Sequence, residues 1–178
     1  MNFSNYGIGI LSAKHYLPSE ILTNEKLCAN IKGLTQEWII EKTGIKKRYH
    51  ISDTETASTM AIKVSQKLLE DSRIDSSKIG LIIVASFSQD YLFPPLSAKI
   101  HSAIGAPKDC QILDINTNCV GLVTASTIAA ERMFLNEKIQ YSLIIGVEVL
   151  SRFTNLQDKD TAVFFSDGAS GKIGRAHV

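Results

Sequence analysis

Nowhere does the chain hold an uninterrupted run of about 18 apolar residues, so no helix of it is expected to span a bilayer. The start, Met1-Asn2-Phe3-Ser4-Asn5-Tyr6, has neither a basic lead nor a long apolar stretch, and no signal peptide is expected. Charge of neither sign dominates. With 19 Lys and Arg against 18 Asp and Glu the net charge is +1, which argues against binding nucleic acid or a membrane surface by bulk electrostatics. Cysteine is scarce: the chain has three, an odd number without framework spacing, which points to reduced thiols and a cytoplasmic protein. Internal repeats and low-complexity linkers are also lacking. What remains is ordinary for a folded domain: 178 residues, 44% hydrophobic and 21% charged, enough to bury one good-sized core.

The chain alternates strand-like and helix-like runs. Ile8 to Leu17 reads as a first strand, and Gln36 to Lys42 as a short helix ended by Gly44. From Thr56 to Asp71 an amphipathic helix carries Ala57, Met60, Ala61, Val64 and Leu68 on one face. Then follow a fully buried strand Leu81 to Phe87, a helix Leu96 to Ile104 after Pro94-Pro95, and a buried strand Cys110 to Ile115. A helix to Leu135, a strand Ser142 to Val147 and a last strand-like piece Ala162 to Phe165 complete the pattern. Continuous apolar strands between helices predict an α/β fold with a largely parallel sheet covered on both faces.

Cys119 carries the chemistry. It lies in Asp114-Ile115-Asn116-Thr117-Asn118-Cys119-Val120-Gly121-Leu122, where a strand gives way to a helix, and the spacing puts it in the first turn of that helix. Free N–H groups and the positive end of the helix dipole favour a thiolate there, and the same donors can receive the oxyanion formed when sulfur attacks a carbonyl. Gly121 removes a side chain that would crowd a substrate. Cys28 and Cys110 are expected to be structural, as buried free cysteines usually are.

Laid along the chain, a series of short motifs resembles β-ketoacyl-acyl carrier protein synthase III, a thiolase-fold condensing enzyme. They are Tyr16-Leu17-Pro18 with Thr23-Asn24, Glu37-Trp38-Ile39 with Lys42-Thr43-Gly44-Ile45-Lys46-Lys47-Arg48, and Glu55-Thr56 with Ser58. Ile79 to Ala85, Phe93-Pro94, the Cys119 turn, Gly146 with Val149-Leu150-Ser151-Arg152, and Phe165-Ser166-Asp167-Gly168-Ala169 follow in order. The resemblance implies a thiolase-like fold, with this chain as the N-terminal half of a five-layered αβαβα sandwich. It further implies a decarboxylating Claisen condensation that starts fatty-acid or related polyketide-type synthesis, with no permanently bound cofactor and no metal. In it, Cys119 takes an acyl group from acyl-CoA, and malonyl-acyl carrier protein then loses carbon dioxide to supply the attacking enolate. Trp38 would stack on the CoA adenine, with Lys159 on the other side where relatives place an Arg. Arg48 and Lys47 would steer CoA phosphates or the acidic carrier protein. Phe93 would cross a homodimer interface to line the partner's acyl pocket.

Departures from the resemblance set further expectations. Relatives are roughly twice as long, and their second half carries the His and Asn that steady the enolate. None of His15, His50 and His101 falls in a matching motif, and His177 sits in the ending Lys172-Ile173-Gly174-Arg175-Ala176-His177-Val178. That ending breaks the small-apolar strand expected after Ala169 and matches one frame of a sequencing-adapter oligonucleotide. The expected organisation is therefore a nucleophile half over residues 1–171, a non-native tail over 172–178 and an absent C-terminal half, leaving a fragment that does not itself condense. Asn116, Thr117 and Asn118 stand where relatives commonly have small residues, Val120 is expected to narrow the acyl entrance, and Ser166 replaces a Gly. Two other functions stay open: acyl transfer without condensation, and a non-catalytic half-length subunit.

Overall fold

The computed structural model describes residues 7–176. Its strands are β1 (Gly9–Tyr16), β2 (Glu20–Thr23), β3 (Lys47–His50), β4 (Ile79–Ala85), β5 (Gln111–Ile115), β6 (Tyr141–Glu148) and β7 (Gly168–Arg175). Its helices are α1 (Asn24–Asn30), α2 (Gln36–Thr43), α3 (Ala57–Ser72), α4 (Leu96–Ile104), α5 (Gly121–Leu135) and α6 (Lys159–Ala162). His177, Val178 and Met1 to Tyr6 lie outside the described residues.

The helix limits follow from their caps. Thr35 accepts from the Trp38 amide to open α2, and Gly44, at φ 69°, closes it in the left-handed conformation that glycine adopts without strain. Thr56 and Thr59 form a reciprocal capping box at α3, and the Asp90 carboxylate adds acceptors for the Ala57 and Ser58 amides at 2.9 and 3.0 Å. Pro95 gives α4 no side-chain cap. Asp114 of β5 supplies it instead, accepting from the Leu96 and Ser97 amides at 2.7 and 2.9 Å.

Five strands form one sheet in the order β1-β7-β6-β4-β5. The parallel expectation holds for its centre, where β4 pairs parallel with both β5 and β6 through the α4 and α5 crossovers. It fails at the other side, because β7 runs antiparallel to β6 and β1 antiparallel to β7, so the sheet is mixed. The continuous apolar run of β4 has a direct cause: Ile82 and Val84 pack with Met60, Ala61, Val64 and Leu68 of α3, while Leu81, Ile83 and Ala85 pack with Ala125, Ala129 and Met133 of α5. Alternate residues thus serve two cores, one on each face.

Three segments differ from expectation. The run Cys110 to Ile115 contains the sheet's edge strand β5, not a buried one, and Ile112 is 41% exposed. Residues Ala162 to Phe165 are the end of α6 and the turn after it, because Asp158 caps a short helix there, accepting from the Asp160 amide and the Thr161 hydroxyl. The last strand is β7, and Lys172 to Arg175 continue it against Tyr141 to Ile144 of β6 and Gly9 to Ala13 of β1 instead of breaking it. Gly171 permits this, since a Cβ there would meet the Ile144 carbonyl oxygen at 2.7 Å and Ile145 Cδ1 at 2.5 Å. Beside the sheet, β2 and β3 pair antiparallel and, with α1 and α2, enclose a small core of Leu27, Ile31, Leu34, Ile39, Ala162 and Val163.

Candidate active site

Cys119 occupies a single 3₁₀ turn, Asn118–Val120, that joins the end of β5 to α5. It therefore stands just before the helix instead of within its first turn. Asn118, at φ 50°, is one of two non-glycine residues with positive φ among those described, so the chain turns sharply where it presents the thiol. Gly121 has a packing role: a Cβ there would approach Ala85 Cβ to 2.9 Å, and its absence lets the start of α5 sit on the end of β4. Gly121 also lines the cavity beside Cys119.

The three thiols differ. Cys119 is exposed. Cys110 is 8% exposed, and burial, reinforced by the Asp109 carboxylate, pushes its pKa up to about 11. Cys28 is half-buried, and burial with the nearby Glu37 raises its pKa against the opposing Arg48 charge. The thiolate is the nucleophile, so both shifts work against reaction at Cys110 and Cys28.

Cys119 opens on a cavity of about 400 Å³ between the ends of β4, β6 and β7. Its wall includes Leu17, Ala85, Phe87, Leu122, Val147 and Ala169. Two titratable side chains join it that the sequence had not singled out. His15 reaches it because β1 pairs with β7 in the register His15↔Ser170. Glu148, the one acidic residue of β6, lies at that strand's end, and a lone carboxylate closing an apolar run is the signal that would have found it. Burial raises the Glu148 pKa, while the Ser88 hydroxyl and the Phe87 and Ser88 amides pull it the other way. Val120 is exposed and is not among the residues of the cavity wall. Thr117, one of the polar residues before the nucleophile, has its Oγ1 buried without a hydrogen-bond partner among the described residues.

The remaining predicted residues fall into three situations. Trp38 is half-buried on α2, and the Lys159 ammonium stands 5.5 Å from its ring centroid, so these two are brought together. Lys159 also meets Asp160 at 2.9 Å. Arg48 is misassigned as a surface steering charge: it is 0% exposed, donating from Nε and Nη2 to the Val163 carbonyl at 3.0 and 2.6 Å and from Nη1 to Asn24 Oδ1 at 2.6 Å. Its alternation on β3 turns it into the small core while Lys47 stays outside, 5.1 Å over the Tyr49 ring. Phe93 is 84% exposed beside exposed Tyr91 and Leu92, so it is no core residue and does not line its own chain's cavity.

Ser166 has a clear role. Its hydroxyl accepts from the Tyr49 amide at 2.8 Å and lies 3.0 Å from the Tyr49 carbonyl. Neighbouring Asp167 is buried and accepts from the Ile51 and Ser151 amides, both at 2.8 Å, fastening the β2–β3 unit to the sheet. Among the described residues no group of three His, Cys, Asp or Glu is placed to hold a metal ion, and no helix is long and apolar enough to cross a membrane.

Comparison with known proteins supports the fold. Residues 113–174, which include the Cys119 turn, match the family model of 3-oxoacyl-[acyl-carrier-protein (ACP)] synthase III. The β-ketoacyl-[acyl-carrier-protein] synthase III of Streptococcus uberis is 38% identical over 167 residues, covering 94% of this chain and 50% of that protein. The Streptococcus suis protein of the same name is 41% identical over 164 residues, covering 92% and 49%. Among solved structures, the 3-oxoacyl-[acyl-carrier-protein] synthase III of Aquifex aeolicus superposes with a TM-score of 0.88 at 30% identity, covering 95% of this chain and 54% of that one. The priming β-ketosynthase of the R1128 polyketide pathway gives 0.90 at 27% identity, covering 96% and 51%. The chain spans about half the length of the curated relatives it matches. In sequence and in its thiolase-like fold, the chain is similar to about half the length of β-ketoacyl-[acyl-carrier-protein] synthase III enzymes.

Proposed function

We propose that Cys119 is the acyl-accepting nucleophile of a condensing enzyme that joins an acyl-CoA primer to malonyl-acyl carrier protein. The observation that carries this reading is an exposed thiol on a strained turn at the start of α5, beside an apolar-walled cavity of about 400 Å³. In the first stage the Cys119 sulfur attacks the thioester carbonyl, the oxygen takes the negative charge near the amides at the start of α5, and the CoA thiolate leaves. In the second, malonyl-carrier protein loses carbon dioxide. Its enolate attacks the acyl carbonyl, releases the Cys119 thiolate and leaves a β-ketoacyl-carrier protein.

Trp38 and Lys159 bracket the CoA adenine in this reading, with Lys159 lifting from the ring to admit it. The exposed Phe93 reaches into the acyl pocket of a second copy in a homodimer. The His and Asn that steady the enolate come from outside these 178 residues, so the chain alone accepts an acyl group and does not condense. Each missing electrostatic donor costs about 10²–10³ in rate. The test is release of labelled carbon dioxide from malonyl-carrier protein in the presence of acyl-CoA, comparing the whole protein, its Cys119→Ser variant and the 178-residue chain. Activity in the whole protein alone is expected, and condensation by the Cys119→Ser variant would refute the reading.

A further inference from the structure

The chain leaves strand pairing just after β4. The Ser86 amide still donates to the Ile115 carbonyl at 3.1 Å, but Phe87 and Ser88 lie beyond the ladder. What holds them is a side chain. The Phe87 amide donates to Glu148 Oε1 at 3.2 Å and Oε2 at 3.4 Å, and the Ser88 hydroxyl donates to Oε2. That hydroxyl in turn accepts from the Val149 amide at 2.7 Å, so Glu148, Ser88 and Val149 close a ring that binds the segment after β4 to the end of β6. Ser86 and Ser88 are both buried, and the Ser88 amide donates to the Ser86 hydroxyl at 3.2 Å. Two residues after Ser88, Asp90 ties the same segment to the start of α3, accepting from the Ala57 and Ser58 amides.

Phe87 and Glu148 both line the Cys119 cavity. A carboxylate there would be costly if its oxygens faced an acyl chain, but here they are occupied by the Phe87 and Ser88 donors. We infer that Glu148 is a positioning residue that sets acyl-chain selectivity: by fixing the Phe87-Ser88 segment it fixes the cavity wall against which the acyl group on Cys119 lies. This rests on the proposed acyl acceptance at Cys119 and adds the residue that measures the acyl group. Without the tie, the segment is free to move away from β6 and the wall recedes, so longer acyl groups gain relative to acetyl.

The experiment measures initial rates of Cys119 acylation in the full chain by acetyl-, butyryl- and octanoyl-CoA, using intact mass. Glu148→Ala is expected to raise the octanoyl-to-acetyl rate ratio about tenfold, the scale of one lost hydrogen bond to a charged group. Glu148→Gln retains an acceptor for the Phe87 amide and should stay within about twofold of the unmodified chain. Cys119 alkylation by iodoacetamide, which reads thiol access without an acyl wall, should stay within about twofold in both. If Glu148→Ala fails to fold, Ser88→Ala breaks the same ring and should shift the ratio in the same direction by about threefold. An unchanged ratio in the variant that folds, or a Gln variant as altered as the Ala variant, overturns this inference alone. No acylation of the unmodified chain by any of the thioesters overturns the acyl reading and this inference with it.

Discussion

Replacing Arg48 by alanine should destabilise the fold and leave acyl-CoA recognition untouched. The side chain is 0% exposed, and its three hydrogen bonds satisfy the Val163 carbonyl and Asn24 Oδ1. Truncation leaves two acceptors with no ready access to water, at about 1–3 kcal/mol each, and the emptied volume adds a cavity penalty. Against this stands a saving. Among the described residues no carboxylate is ion-paired with Arg48, and burial pulls its pKa down, partly opposed by Cys28, so the folded state already carries a cost for keeping the charge out of water. Taking the saving from the loss leaves about 2–4 kcal/mol, or roughly 4–16 °C in Tm for a domain of this size. Arg48→Lys should recover less than half, because an ammonium cannot fork between two acceptors. Thermal unfolding by circular dichroism measures this directly, with the acyl-CoA concentration for half-maximal Cys119 acylation as the control. A variant that melts within about 1 °C of the unmodified chain but needs far more acyl-CoA would refute the argument and return Arg48 to the surface role its motif implies.

Gly171→Ala should cost about 1–3 kcal/mol by overpacking β7 against the Ile144 carbonyl, read as a lower urea midpoint at unchanged slope; equal stability would mean β7 is not seated there. For Asp90, burial opposes ionisation, but hydrogen bonds from the Ser58 hydroxyl and the Ser58 and Ala57 amides outweigh it and hold the carboxyl below the ordinary aspartate range. Its contribution is therefore present above the unfolded pKa and lost as pH falls through the folded one. Asp90→Asn should cost about 1 kcal/mol near neutrality, with the gap closing below about pH 4, and a gap that widens on acidification would contradict the assignment. Trp38→Ala should raise the acyl-CoA concentration for half-maximal Cys119 acylation about three- to tenfold without changing the maximal rate; a fall in maximal rate alone would place Trp38 elsewhere than at the adenine.

What the sequence disclosed was local. Helix limits at Gly44, Thr56 and Leu96 could be read because caps and periodicity are neighbours in the chain, and α3 buries the five residues its pattern assigned. Strand direction could not, since whether β7 runs with or against β6 depends on pairing partners distant in sequence. Edge position escaped for the same reason: Gln111 to Ile115 has a core strand's composition but ends the sheet. In the site, the exposed turn of Cys119 was legible as a strand-to-helix junction. Arg48 was misread because a Lys-Lys-Arg run looks like surface charge, and only the alternation of β3 against the small core turns one of the three inward. Glu148 is marked in the chain only as the lone carboxylate closing the apolar run of β6, and nothing near His15 marks it; the register of β6 and β1 carries both to the cavity.

The decisive question for Cys119 is which of the three thiols takes the acyl group. Incubating the 178-residue chain with acetyl-CoA near neutral pH and mapping peptides by mass spectrometry resolves all three cysteines at once. Acetyl on Cys119, with Cys28 and Cys110 unmodified and labelling abolished by Cys119→Ser, is the predicted result. Acetyl on Cys110 or Cys28 while Cys119 stays free would contradict it.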